Sequence, residues 1–150
     1  MELTGEQDIT ASREVVWRAL VDQDTLRACI PGCQEISGNV EDGFEATVVQ
    51  KIGPVKATFR GTVTFEEVVA PDSLVMSGEG KGGAAGVAKG RARVELSDIE
   101  GGTRLTYRVT SEIGGKLARL GSRLLKGVSQ KLADQLFVRF RDIVETDTPA

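Results

Sequence analysis

The stretch GGKLARLGSRLLKGVSQKLADQLFVRFRDIV, residues 114–144, decides the fold. It places Leu117, Leu120, Leu124, Val128, Leu132, Leu136, Phe140 and Ile143 at steps of three or four, the spacing of one long helix with an apolar stripe. Around the stripe stand Lys116, Arg119, Arg123, Lys126, Lys131, Arg139 and Arg141 against the acids Asp134 and Asp142, in a chain whose formal charge is -3. Charge is segregated between this helix and the rest, which points to a partner or a surface.

Working outward from the helix, the sequence before it has period two. Leu105, Tyr107 and Val109 alternate with Arg104, Thr106 and Arg108, and Ala92, Val94 and Leu96 alternate with Arg91, Arg93 and Glu95. The same pattern runs through Phe44–Val49 and Val55–Phe65, with Gly53-Pro54 and Pro71-Asp72 as turns and a shorter strand over Leu74–Ser77. Gly61 in mid-strand signals a bulge or a close approach. Near the N-terminus, Leu3–Thr10 reads as a strand and Ser12 as the cap of a helix over Arg13–Val21 that turns Val16, Trp17 and Leu20 to one face. Asp24 caps a second brief helix through Leu26, Arg27 and Ala28, which Pro31-Gly32 stops. Short turns favour antiparallel pairing. The expected fold is therefore α+β: a curved antiparallel sheet wrapped around a long C-terminal helix, with two short helices after the first strand.

Composition removes several function classes. With 150 residues and 40% hydrophobic content the chain is one ordinary domain, expected over 1–145 with a polar tail at 146–150. A pI near 5.1 and 5% aromatics argue against nucleic acid. The segment Met1–Ile9 lacks the apolar core of a signal peptide, and no window reaches the length of a membrane span, so a cytoplasmic protein is expected, one that meets a membrane, if it does, from the side. There is no histidine. That removes histidine-based triads and most catalytic zinc sites. Cys29 and Cys33 flank a Pro-Gly turn and read as reduced thiols. Too few donors accompany them for a metal, though their turn could wall a pocket mouth. The acids at Glu41-Asp42, Glu66-Glu67 and Asp98–Glu100 fall near turns and read as solvated surface.

Gly78-Glu79-Gly80-Lys81-Gly82-Gly83 matches the letters of a dinucleotide fingerprint, but period-two sequence resumes at Arg91 where that motif needs a helix. A flexible loop is the expected structure, with a mobile lid as its functional variant. On the long helix, steps of about 100° around Val128 bring Leu117, Gly121, Leu124, Leu132 and Gln135 to one face. Gly121 there suggests close approach of backbone or ligand, and Gln135 must find a polar partner. Helix–sheet contact and a ligand wall both remain open readings. The same wheel turns Phe137 outward among Arg119, Lys126 and Arg141, as in a helix lying on an anionic membrane or a protein partner.

Several phrases together resemble the G-subunit family of carbon monoxide dehydrogenases, a branch of the START-like (SRPBCC) helix-grip superfamily. They are Val16-Trp17, Cys29–Cys33, Gly53-Pro54-Val55-Lys56-Ala57, Gly78–Gly83, Thr103-Arg104-Leu105-Thr106-Tyr107, Gly114–Ala118, Gly121–Leu124 and Ala133-Asp134-Gln135. The resemblance implies an apolar cavity between sheet and helix. It further implies a non-catalytic accessory of a molybdenum-containing carbon monoxide dehydrogenase or related hydroxylase, binding a menaquinone- or ubiquinone-like quinone and linking the enzyme to the membrane respiratory chain. The expected ligand wall is Leu117, Gly121, Leu124, Val128, Leu132 and Gln135 on the helix with Phe59, Met76, Tyr107 and Ile30 around it. The expected membrane- or partner-facing set is Arg119, Arg123, Lys126, Phe137 and Arg141. No catalytic residue, metal or covalent cofactor is expected. Family members often carry a variable membrane-reaching tail, which the polar ending at Ala150 does not resemble. The rival readings are a ligand-free tethering adaptor and a cyclase or hydrolase of the same fold.

Overall fold

A computed structural model describes residues 1–147, so most of the expected polar tail lies outside the described residues. Strand β1 (Glu2–Ile9) leads into helices α1 (Arg13–Leu20) and α2 (Gln23–Cys29), followed by β2 (Cys33–Asn39), β3 (Gly43–Ile52), β4 (Val55–Val69), β5 (Ser73–Lys81), β6 (Val87–Ile99) and β7 (Gly102–Gly114). A 3₁₀ strap over Gly115–Leu120 then precedes helix α3 (Ser122–Asp147). All seven strands form one antiparallel sheet in the order β1-β7-β6-β5-β4-β3-β2. First and last strands are neighbours, so α1 and α2 must carry the chain from one sheet edge to the other. The expected α+β helix-grip architecture is the one observed.

Local chemistry explains the short helices. Ser12 Oγ accepts from Val15 N at 3.3 Å, and α1 carries Glu14 in its first turn and Arg18 in its last, both favourable to the helix dipole. Asp22, not Asp24, caps α2: its Oδ2 accepts from Thr25 N at 3.0 Å and from Thr25 Oγ1 at 2.9 Å. Strand β2 has only Ile36 buried, too little for a period-two signal.

Two further expectations are corrected. Gly78–Lys81 is no loop: these residues complete β5, with Gly78 paired to Gly90 and Gly80 to Ala88, and only a tight turn at Gly83–Ala85 separates β5 from β6. The helical stretch also does not run unbroken from Gly114. Gly115 and Gly121 stand at φ +78 and +92, in the left-handed region that stops a right-handed helix, so Leu117 belongs to the strap and α3 starts at Ser122.

The C-terminal half of α3 grips the sheet. Phe137, Phe140 and Val144 share one apolar cluster with Leu74, Val94, Leu96, Leu105 and Tyr107 of the sheet and Val16 and Leu20 of α1. Polar ties close this end: Thr103 Oγ1 donates to Ala11 O at 2.7 Å, and Thr10 N and Oγ1 donate to Glu145 Oε2 at 3.0 and 2.8 Å. Those bonds favour the charged form and hold the Glu145 carboxyl below its ordinary pKa. A second cluster joins Leu117 of the strap to Val55, Ala57 and Ala85, and a third joins Leu26, Ile36 and Phe44.

Candidate functional site: an apolar hollow on the concave face

Most single domains have one contiguous core. Here three separate clusters leave the middle of the concave face between them. Antiparallel register identifies what lies there. Val63, Gly78, Gly90 and Ser111 sit side by side across β4–β7, and the next inward row is Gly61, Gly80, Ala88 and Ile113. The row nearest the first cluster is Phe65, Met76, Ala92 and Val109. Central strands of a sheet ordinarily project large side chains at these positions. Four glycines and an alanine project almost none, and Val63, Met76, Ala92 and Val109 around them are only half-buried. With so little side chain on it, this part of the inner face is the candidate floor of a hollow.

Helix α3 roofs it. The strap is anchored in the second cluster and Phe137 in the first, so the intervening turns span the gap between them. At 100° per residue, Leu125, Ser129 and Leu132 continue the buried stripe of Leu136, Phe140 and Val144. Leu125 is buried, while Ser129 and Leu132 are half-buried. Phe59 closes one end, its ring lying against Gly80 and Gly82.

The structure distributes the sequence-predicted ligand wall unevenly. Phe59 and Met76 lie on the hollow, and Leu132 and Val128 lie on its roof and roof edge. Leu117 is fully buried in the second cluster, and Ile30 packs beside the third. Leu124 is 40% exposed and Gln135 lines a groove of about 770 Å³ on the outer side of α3 with Lys131, Val138 and Arg139. Gly121 meets no atom within 4 Å of an added Cβ, so no backbone or side chain presses on it; its glycine serves the positive φ. Of the outward set, Arg119, Arg123 and Lys126 are exposed. Phe137 is not: it is 5% exposed and stacked on Tyr107 at 4.1 Å and 10°. Arg141 donates to Gln7 Oε1 at 3.0 Å and pairs with Asp142, which places it beside the sheet edge at β1.

Tyr107 is a core residue with a satisfied hydroxyl. It donates to Asp134 Oδ1 at 3.1 Å, and Gln130 Nε2 donates to the same oxygen at 2.9 Å. Gly5 makes room for this hydroxyl: a Cβ there would sit 2.2 Å from it. Burial, and secondarily the Asp134 carboxylate, push the Tyr107 pKa up to about 12. A raised folded-state value means the neutral tyrosine stabilises the fold below about pH 10, and this contribution is lost as pH rises towards 12. Tyr107 is the chain's single tyrosine. Phenolate absorbance of the folded protein should therefore appear only near pH 12, whereas ionisation near the free value of about 10 would contradict this placement.

Ser111 is the polar residue that sequence reasoning missed. Its Oγ is buried and has no hydrogen-bond partner among the described residues, an arrangement costing about 1–3 kcal/mol. Alternation alone puts Ser111 in the inward series Leu105, Tyr107, Val109, Ser111, Ile113, but its place beside Gly90 follows only from the strand register. Both cysteines are free, and burial pushes the Cys29 thiol up to about 11, which leaves it inert. Two further depressions, of about 660 and 510 Å³, are lined largely by Thr, Glu, Lys and Arg of the convex face, the first also reaching Gly78, Gly90 and Ser111 and the second Gly61. They are the solvated saddles of a twisted sheet.

The sequence model of the carbon monoxide dehydrogenase G subunit (CoxG) matches residues 5–144. Among solved structures, a conserved protein from Geobacillus kaustophilus superposes with a TM-score of 0.89 at 27% identity, covering 97% of this chain and 96% of its own. A Thermus thermophilus protein gives 0.74 at 14% identity over 99% and 100% of the two chains, and one from Chromobacterium violaceum gives 0.71 at 14% over 96% and 97%. These last two share the fold alone. No curated protein matches the sequence.

Proposed function

The chain belongs to the CoxG family of carbon monoxide dehydrogenase subunits, and on that footing we propose that it is a non-catalytic accessory of a molybdenum-containing carbon monoxide dehydrogenase that carries a lipophilic quinone between enzyme and membrane. The observation carrying this reading is the floor of Gly61, Gly78, Gly80, Ala88 and Gly90 between three separated apolar clusters. An isoprenoid tail consists of CH₂ and CH₃ groups, each buried CH₂ contributing about 0.8 kcal/mol. A hollow rimmed by Val63, Phe59, Met76, Ala92, Val109 and Leu132 suits such a tail by area. A quinone head group needs only one or two donors, and the unpartnered Ser111 Oγ is one that can donate to a quinone carbonyl.

The lining also supports carriage over turnover. Around the floor it offers aliphatic and aromatic carbon with one hydroxyl, while Tyr107, the nearby acid–base candidate, is held neutral and already bonded to Asp134. In the cell the protein then works beside its dehydrogenase, at the cytoplasmic face of the membrane, taking quinone from the bilayer and presenting it to the enzyme's electron-transfer chain. Native mass spectrometry of the full chain, purified from cells that make isoprenoid quinones, should show a mass adduct that organic extraction identifies as quinone. An adduct-free protein that also takes up no quinone when it is supplied would support the tethering adaptor instead.

A further inference from the structure

Residues 115–133 contain Lys116, Arg119, Arg123, Lys126 and Lys131 and not one acid. All five are exposed and, among the described residues, none forms an ion pair. Elsewhere six of the ten arginines are paired with acids: Arg13 with Asp72 and Asp98, Arg91 with Glu66, Arg93 with Glu95, Arg104 with Asp8, Arg108 with Glu2, and Arg141 with Asp142. The unmatched cations are also set against the helix dipole, since Arg123 falls in the first turn of α3, which holds no acid. A sequence selected for helix stability would place Asp or Glu there. Beside the cations, Leu124 is 40% exposed, and Leu120, Leu124, Gly127 and Val128 line an open apolar groove with Arg123 and Lys131. Leucine side chains flanked by free cations match a surface with anionic head groups over hydrocarbon.

The same segment closes one end of the hollow. Leu117 is 1% exposed and packs with Val55, Ala57 and Ala85, against which Phe59 and Ile113 from the hollow's rim also pack. The strap bearing it is bounded by two left-handed glycines of different character. At Gly115 an added Cβ would lie 2.5 Å from Gly86 Cα, a tight approach, whereas an added Cβ at Gly121 would meet nothing within 4 Å among the described residues. From these observations we infer that the strap Gly115–Leu120 is the gate of the hollow. It opens when its cations and those of the first turns of α3 settle on an anionic lipid surface, with Leu120 and Leu124 entering the lipid and drawing Leu117 off its seat.

This gate rests on the reading of the hollow as a quinone site, and the test separates the two. The full-length protein is sedimented with vesicles containing phosphatidylglycerol or with phosphatidylcholine vesicles, and quinone uptake is measured from the vesicles and from detergent. The combined Arg119→Glu, Arg123→Glu and Lys126→Glu variant should remain folded, because acids suit the start of α3. It should lose phosphatidylglycerol binding at least about tenfold and slow uptake from vesicles, with affinity for detergent-borne quinone unchanged. Leu117→Ala should accelerate exchange with detergent-borne quinone, and Leu117→Val, a milder change, should do so to a lesser degree. Retained vesicle binding by the reversed variant, equal binding to phosphatidylcholine, or exchange unaffected by either Leu117 change would overturn the inference. Charge-dependent vesicle binding by a protein that takes up no quinone would instead sink the carrier reading, leaving a docking face without a gate.

Discussion

Replacing Phe137 by alanine is expected to remove about 3–5 kcal/mol of folding stability, a third or more of what a domain of this size commonly has. The ring is 5% exposed and lies parallel to Tyr107 at 4.1 Å, inside the cluster that joins α3 to the sheet and to α1. Its loss leaves a cavity at the point where the helix is gripped, together with a forfeited stacking contact of about 0.5–1.5 kcal/mol. Tyr107 would also lose the surface that holds its hydroxyl towards Asp134. Leu124→Ala is the matched control: at 40% exposure it should change stability by no more than about 0.5 kcal/mol. Denaturant unfolding of the two variants checks the assignment of faces on α3. A Phe137→Ala loss no greater than that of Leu124→Ala would mean that the helix is turned the other way.

The second large effect is on binding. Gly90→Leu should reduce quinone affinity by roughly 3 kcal/mol, about a hundredfold, because four side-chain carbons occupy space the tail would fill. Gly90 is the suitable site. Its added Cβ meets only Thr110 O at 3.5 Å and Ser111 Cβ at 3.9 Å, which is ordinary contact, and its backbone lies outside the left-handed region. The protein should fold at least as well as before, since glycine weakens a strand interior. At Gly61 the same change fails for another reason: a Cβ would fall 2.1 Å from Glu79 O, so the pairing of β4 with β5 must break. Gly121→Leu blocks nothing, because that position lies outside the hollow, and it strains a residue at φ +92.

These two sites also show how far the sequence could be read. Period two located five of the six later strands, and Ser12 and Pro31-Gly32 bounded the short helices, because those signals are local. The orientation of α3 is not local. Two apolar arcs run along it: Leu124, Val128 and Val138 on one side, and Leu125, Leu136, Phe137, Phe140 and Val144 on the other. Counting leucines from Leu117 selects the first arc, since the count carries residues of the strap across the break at Gly121 as if they were helical. The aromatic rings at Phe137 and Phe140 mark the second, having more area to hide than any leucine. The floor of the hollow was hidden for the opposite reason. Gly78 and Gly80 carry no side chain to display a period, so a strand interior looked like a loop. Ser111 needed the register: only its place beside Gly90 shows that it faces the hollow.

Methionine supplies the most direct test of a lipophile in that hollow. The chain has two, Met1 and Met76, and Met76 stands in the inward row between Phe65 and Ala92. With isotope-labelled methionine methyl groups, titration with a short-tailed isoprenoid quinone should shift the Met76 resonance and give contacts from it to the tail's methyl groups. In Gly90→Leu the same titration should leave Met76 where it was. A Met76 signal unmoved by quinone in the unaltered protein, or moved equally in both, would contradict the account.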